Sequence, residues 1–374
     1  MRRHGDGRVA SVAALTFAKL ALAVLVLVAS LLGGIPTVAA HDSNVAGHTL
    51  SGRPRYAVVD LGPFLAREVD ERPTLNSAGH AASWQIVDES RASAVLLIGD
   101  RIRAVEGVPA ARNSYAFGIN ASDSLVGIVQ SPDDMRDTQA FSYVHGEFSY
   151  LPTLGGAHAA ARSINDRGVM VGDSQTPTHA VHAVRWSGIR IEDLGTLPGG
   201  DFSRAFDVND AGVIAGEANV SPNGKSHGVL WVGGHIRDLG LLPGGSFSSA
   251  QAVNARRVAV GFADTDDGDG TAVRFENGRI TDLGSLGDES SAGLSINDAG
   301  QIVGIGSVAE GQVRAFLWEK GVMRNLNDLI PTAPQWLLLT AYHINSRGQI
   351  LAYGFYRGRT HACLLIPVSL TLTP

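Results

Sequence analysis

The sequence predicts an all-β chain: a seven-bladed β-propeller of four-stranded repeats about 44 residues long, closed by an N-terminal strand that pairs with the last blade. Three observations predict it. An aliphatic residue followed by Asn recurs seven times at near-constant spacing. A second strand-like landmark follows each of these pairs. The last repeat lacks its final strand, and a strand of the same type stands near the N terminus.

The pairs are Leu75-Asn76, Ile119-Asn120, Ile164-Asn165, Val208-Asn209, Val253-Asn254, Ile296-Asn297 and Ile344-Asn345, with Asn spacings of 44, 45, 44, 45, 43 and 48. Such a fixed period is the signature of a repeat architecture. Three residues after Asn comes Gly79, Gly168, Gly212, Gly300 or Gly348. Asn at the first and a left-handed Gly at the fourth position make a type I turn leading into a bulged hairpin. Asp123 takes the Gly position in the second repeat, where a left-handed residue is tolerated. Arg257 takes it in the fifth, which casts doubt on that turn. A small residue always stands seven places after Asn: Ser83, Gly127, Gly172, Gly216, Gly261, Gly304 or Ala352. Strand A, a tight turn and strand B follow from this pattern.

Strand C starts with a small residue and carries apolar residues two apart, as in Ala140-Phe141-Ser142-Tyr143, Ala183-Val184-Arg185-Trp186 and Ala315-Phe316-Leu317-Trp318. Residues two apart share one face of a strand. Turns such as Asn277-Gly278 lead to strand D, for example Ile280-Thr281-Asp282-Leu283. Four short antiparallel strands per repeat are blade-like. After Ala362-Cys363-Leu364-Leu365 the chain ends without a strand D, while Tyr56 to Gly62 resembles Asp193-Leu194-Gly195 and its equivalents. Pairing the two closes the ring and removes the ends an open solenoid would have to cap. Small residues four places before Asn (Ala116, Ala161, Ala205, Ala250, Gly293, Ala341) fit a crowded inner strand, and Arg72 breaks this in the first repeat.

The chain divides into 1–40, read as a signal peptide, a linker at 41–55, the propeller at 56–367 and a tail at 368–374. Arg2, Arg3 and Arg8 precede an apolar run from Leu20 to Leu32, and Val38-Ala39-Ala40 offers a cleavage point. An uncleaved membrane anchor is the competing reading. Without residues 1–40 the chain keeps 26 basic and 35 acidic side chains, a net charge of −9. An acidic chain without a basic run points away from nucleic acid and from anionic membranes. Cys363 is the one cysteine, so no intrachain disulfide holds the fold.

These landmarks resemble the HAF-repeat family of extracellular bacterial proteins over roughly residues 56 to 367. The resemblance rests on His182-Ala183-Val184, Gln139-Ala140-Phe141, Arg314-Ala315-Phe316 and His361-Ala362-Cys363, and on Leu194 to Gly200 and Ile164 to Gly168. No single repeat carries all of His, Ala and Phe. The resemblance implies export and repeats, and it brings no established activity and no catalytic residues.

His182, His227 and His361 recur at one strand position, which fits a bond to a neighbouring strand better than a metal or catalytic role. The Asp of Asp-Leu-Gly recurs likewise and reads as a turn or edge device. The acidic loop Asp264 to Gly270 is the one cofactor candidate. Asp266, Asp267 and Asp269 resemble calcium ligands, with Asp267, Asp269, Gly270 and Glu276 at the third, fifth, sixth and twelfth positions of a calcium loop. Thr265 occupies the first position, where a carboxylate is needed, which favours a solvated loop. Leu-Pro-Gly-Gly segments lack the helix and lysine of a phosphate cradle. Cys363 replaces Phe or Val and reads as a buried apolar residue. No catalytic residue is assigned. Strand parity puts the A–B and C–D turns on one face and the longer B–C and D–A connections on the other, where a site is expected. The expected function is a secreted monomeric binding module for an unknown protein or glycan. The alternative is an extracellular hydrolase or lyase acting on a polysaccharide or lactone at the central channel.

Overall fold

The structure, a computed structural model, describes residues 55–63, 72–88, 91–99, 101–110, 112–131, 137–222, 224–288 and 290–368. The expected signal (1–40), nearly all of the linker, residues 89–90 and 132–136 and the tail beyond 368 lie outside these residues.

The described residues form seven antiparallel four-stranded sheets. Six are consecutive in the chain: 74–104, 113–150, 159–193, 203–238, 248–282 and 291–325. The seventh joins Trp336–Ile344, Ile350–Tyr356 and Arg359–Pro367 to Tyr56–Gly62, which pairs with Arg359–Pro367 as strand D. The predicted propeller and its N-terminal closure are therefore present. Val368 N–H donates to Arg55 O at 2.9 Å, so the two ends of the ring touch.

The apolar residues of strand C fill the spaces between blades. Phe141, Trp186, Trp231, Phe275 and Phe316 are fully buried. One such layer joins Val171 and Ala183 of blade 3 to Ala205, Ile214, Val229 and Trp231 of blade 4. Burying each large side chain contributes about 1.5–3 kcal/mol. The Trp indoles also satisfy their N–H groups on the preceding blade: Trp186 Nε1 donates to Pro152 O at 2.8 Å and Trp231 Nε1 to Leu194 O at 2.9 Å.

The small residue of strand B has a steric cause. A Cβ on Gly172 would lie 1.9 Å from Ala160 O, and one on Gly261 would lie 1.8 Å from Ser249 O. Strand A bulges over this position, so its carbonyl presses on strand B. In blade 1, where Ser83 stands, strand A is only Thr74–Leu75 and does not reach it.

The A–B turns form as the sequence predicts, and the doubt over Arg257 is resolved. Arg257 adopts φ 64°, Asp123 φ 60°, and Arg257 N–H closes the turn on Asn254 O at 3.0 Å. Each Asn also does something the sequence did not reveal. Its side-chain carbonyl caps its own turn, as Asn165 Oδ1 does for Arg167 N and Val169 N. Its Nδ2 donates to the backbone carbonyl of the Asn in the next blade: Asn76 to Asn120 (3.0 Å), Asn120 to Asn165 (3.2 Å), Asn165 to Asn209 (3.0 Å) and Asn209 to Asn254 (2.8 Å). The series continues from Asn254 to Asn297 (3.2 Å), Asn297 to Asn345 (3.2 Å) and back from Asn345 to Asn76 (2.9 Å). Seven equivalent hydrogen bonds thus encircle the channel.

Candidate functional site

The repeated polar residues serve the frame first. His182 Nδ1 lies 2.8 Å from Asp193 Oδ2, His227 Nδ1 2.8 Å from Asp238 Oδ2 and His361 Nδ1 2.8 Å from Asp60 Oδ1. The histidine of strand C thus pairs with the Asp of Asp-Leu-Gly on strand D. That Asp also caps its own turn, accepting from Gly195, Gly240 or Gly62 N–H at 2.8 Å. The third of these pairs bridges the two ends of the chain. Serines at the start of strand A add a further link: Ser203 Oγ accepts Ala183 N–H at 2.8 Å and donates to Gly195 O at 2.7 Å. Ser248 does the same in the next blade.

The acidic loop forms a tight turn, with Gly268 N–H donating to Thr265 O and Thr265 N–H to Asp269 O, both at 3.0 Å. Asp264 is spent on the adjoining connection, accepting Ser246 N–H and Phe247 N–H at 2.6 Å. Among the described residues no group of three His, Cys, Asp or Glu is placed to hold a metal ion, so Asp266, Asp267 and Asp269 are not brought together as ligands. Cys363 is buried, and burial pushes its thiol well above the ordinary range, as an inert core residue requires.

A cavity of 290 Å³ occupies the central channel. It is lined from every blade, and one side chain per bulge stands out. The bulge in strand A falls three residues before Asn in blades 2 to 7, at Phe117, Arg162, Phe206, Gln251, Leu294 and Tyr342. A bulge re-aims a side chain that regular pairing would place elsewhere, and all six of these residues line the cavity, with Arg72 from the first blade. The frame around them repeats; these residues do not. In the aligned repeats this column mixes aromatic, cationic, amide and aliphatic residues beside invariant Asn.

The cavity occupies the A–B end of the channel, since its lining runs from the bulge to the residue after Asn. The long-loop face that the sequence favoured forms the opposite rim, and Ile86, Val87 and Leu337, at strand ends that lead into those loops, are exposed.

Charged side chains in the channel are tied to named partners. Arg72 Nη2 reaches Gln251 Oε1, on the far side of the channel in blade 5, at 2.6 Å. Arg162 Nε donates to Asp173 Oδ1 at 2.7 Å, and Arg204 Nε lies 3.3 Å from the same oxygen. Burial raises the Asp173 pKa, but the two guanidiniums outweigh it and hold the carboxylate below its ordinary value. Asp207 accepts Ser163 Oγ–H at 3.0 Å and Val253 N–H at 2.9 Å, so it joins three blades. Burial nonetheless pushes its pKa up. His343 presents part of its ring to the cavity, but its Nδ1 is buried with no hydrogen-bond partner. Burial lowers its pKa to about 4. At neutral pH this interior therefore holds a neutral imidazole, two guanidiniums and the carboxyl group of Asp207. Acids stand at the rim, where Asp166, Asp210 and Asp298 accept backbone N–H groups of the preceding blade.

No family model and no curated protein matches this chain. Among solved structures it is similar to the β-propeller domain of the Trilobed protease from Pyrococcus furiosus, with a TM-score of 0.51 and 9% identity over 79% of this chain and 94% of that one. It is also similar to YCF48 bound to D1 peptide, with a TM-score of 0.50 and 10% identity over 86% and 98% of the two chains. A gluconolactonase from Xanthomonas campestris aligns with a TM-score of 0.40 and 10% identity, over 84% of this chain and 99% of that one. The likeness is one of fold, and propellers host many functions.

Proposed function

We propose that this protein is an exported binding module that holds its ligand in the central channel. One observation carries the reading: seven side chains of five kinds converge on one cavity, six of them aimed there by bulges, inside a frame whose Asn, His, Asp and Gly positions repeat. A constant frame with a variable lining is how a repeat fold supports recognition, because lining residues can change without disturbing the frame. The cavity size suits one small residue or chain end.

The alternative reading, a hydrolase or lyase at the channel, is favoured by the pair of displaced titrations at Asp207 and His343. Asp207 is already held by Ser163 and Val253, which supports binding over proton transfer.

The test is a glycan array together with capture from the native secretome, using protein purified after export and checked for cleavage by intact mass. Binding that Phe206→Ala abolishes while the fold survives supports the reading. Silence in both assays refutes it. Turnover of a polysaccharide or lactone lost in His343→Ala would favour the enzyme instead.

A further inference from the structure

Resting on the binding reading, we infer that the channel takes a carboxylate-bearing sugar the size of a hexuronate, with Arg162 as the group that holds its carboxylate.

Arg162 is the one bulge residue that carries a charge. Its side chain is 14% exposed and lines the cavity. Five of the other six blades place Trp84, Ile128, Phe262, Ile305 and Tyr353 where blade 3 has Asp173, its partner, and blade 4 places Glu217 there beside the uncharged bulge residue Phe206. Most of these belong to two apolar clusters that flank the channel. A buried charge pair in such a setting loses its hydration and is often no more stable than an apolar replacement. Blade 3 has nevertheless exchanged the apolar pair for an ionic one at the bulge, next to the cavity.

The geometry says what the exchange supplies. Asp173 takes Arg162 through Nε at 2.7 Å. That bond fixes the plane of the guanidinium and leaves its two terminal nitrogens without a hydrogen-bond partner among the described residues. Phe206 lies under the same group, 5.8 Å from ring centre to guanidinium carbon, and fixes its tilt. A fixed planar fork matches a carboxylate with two parallel hydrogen bonds. Arg204 also binds Asp173, so the partner carboxylate is shared and does not fully neutralise Arg162. Arg72 supplies a second cation in the same cavity. Neutral His343 adds no charge there at neutral pH. The remaining lining is polar and suits hydroxyls: Thr74, Ser163, Ser295 and Asp207, which already accepts from Ser163, lie at the level below the bulges, and Asn turns and carboxylates ring the mouth. An acidic sugar uses both parts, the carboxylate on Arg162 and hydroxyls toward the rim.

The experiment is calorimetric titration of the exported protein with galacturonate and glucuronate, with galactose and glucose as neutral controls and glutamate as a non-sugar carboxylate. The inference predicts saturable binding of a hexuronate, and binding weaker by at least about tenfold for the matching neutral sugar and for glutamate. Arg162→Gln should lower hexuronate affinity at least about tenfold, and Arg162→Lys should restore part of it, because Lys keeps the charge but not the fork. Arg185→Gln, a surface change in the same blade, should leave binding intact and controls for lost charge. If Arg162→Gln fails to fold, Phe206→Leu, which removes the support beneath the guanidinium, must weaken hexuronate binding. Equal binding of hexuronate and neutral hexose, or of hexuronate and glutamate, overturns the inference. Binding on the glycan array without any hexuronate heat sinks the inference and leaves the binding module standing. Silence in the array, the secretome capture and the titration sinks both.

Discussion

A single Asn per blade contributes more than its turn. Asn165 serves two backbone donors in its own hairpin and one carbonyl in the next blade. Each buried group left without a partner costs about 1–3 kcal/mol. Asn165→Ala should therefore destabilise the protein by about 2–4 kcal/mol in denaturant unfolding. His227→Ala provides the contrast. Its partner Asp238 has 40% of its side chain exposed, and solvent-screened pairs contribute only about 0–1 kcal/mol. Equal losses in the two variants would contradict the roles given to Asn and His. His343 acts through pH. Folded, it takes up its proton at about 4, and unfolded at about 6.5. Between those values the unfolded chain holds the extra proton, so this residue's contribution to stability is full at neutral pH and falls as pH drops toward 4. His343→Gln should lose less stability than the parent protein between about pH 7 and about pH 4.5. An unchanged pH profile would exclude a buried neutral imidazole in the channel.

At the scale of the strand and hairpin, the bulge is the element that makes the site. It presses a carbonyl on the Gly of strand B and turns the next side chain into the channel. The A–B hairpin of blade 5 carries one strained residue, Arg257 at φ 64°. A left-handed conformation costs a non-Gly residue roughly 1 kcal/mol. Arg257→Gly should stabilise the protein by a few tenths to about 1 kcal/mol, with part of the gain offset by the freer unfolded chain. A loss of stability would mean that the Arg257 side chain holds the turn by other contacts. Hairpins, strand C and the missing strand D were legible because they rest on local chemistry that repeats: Asn and Gly at fixed offsets, apolar residues two apart. The pairing of His with Asp eleven residues later was half legible, since both columns repeat and only their meeting was unseen. The Asn-to-Asn bonds and the six bulge residues were not legible in any one repeat. The first join residues a full repeat apart, and the second depend on a one-residue register shift that composition does not mark.

For the whole molecule, closure decides stability. Every blade but the seventh is continuous in sequence, and the seventh is tied by Tyr56–Gly62, by His361 on Asp60 and by Asn345 on Asn76. Tyr56 is buried in the last hydrophobic layer with Leu317, Trp336 and Leu365. Deleting Arg55 to Gly62 removes that strand and uncovers strand C of the closing blade, so the melting temperature should fall far more than in any single-residue variant. The most direct measurement is a cross-link across the seam. Ala57 and Ile366 face each other in the register of the closing pair. In a Cys363→Val background, Ala57→Cys with Ile366→Cys should oxidise to an intrachain disulfide and raise the melting temperature relative to the reduced form. The offset pair Ala57→Cys with Leu365→Cys should cross-link poorly, because residue 365 points to the opposite face. Absence of the 57–366 disulfide, or equal cross-linking of both pairs, would contradict a ring closed by the N-terminal strand.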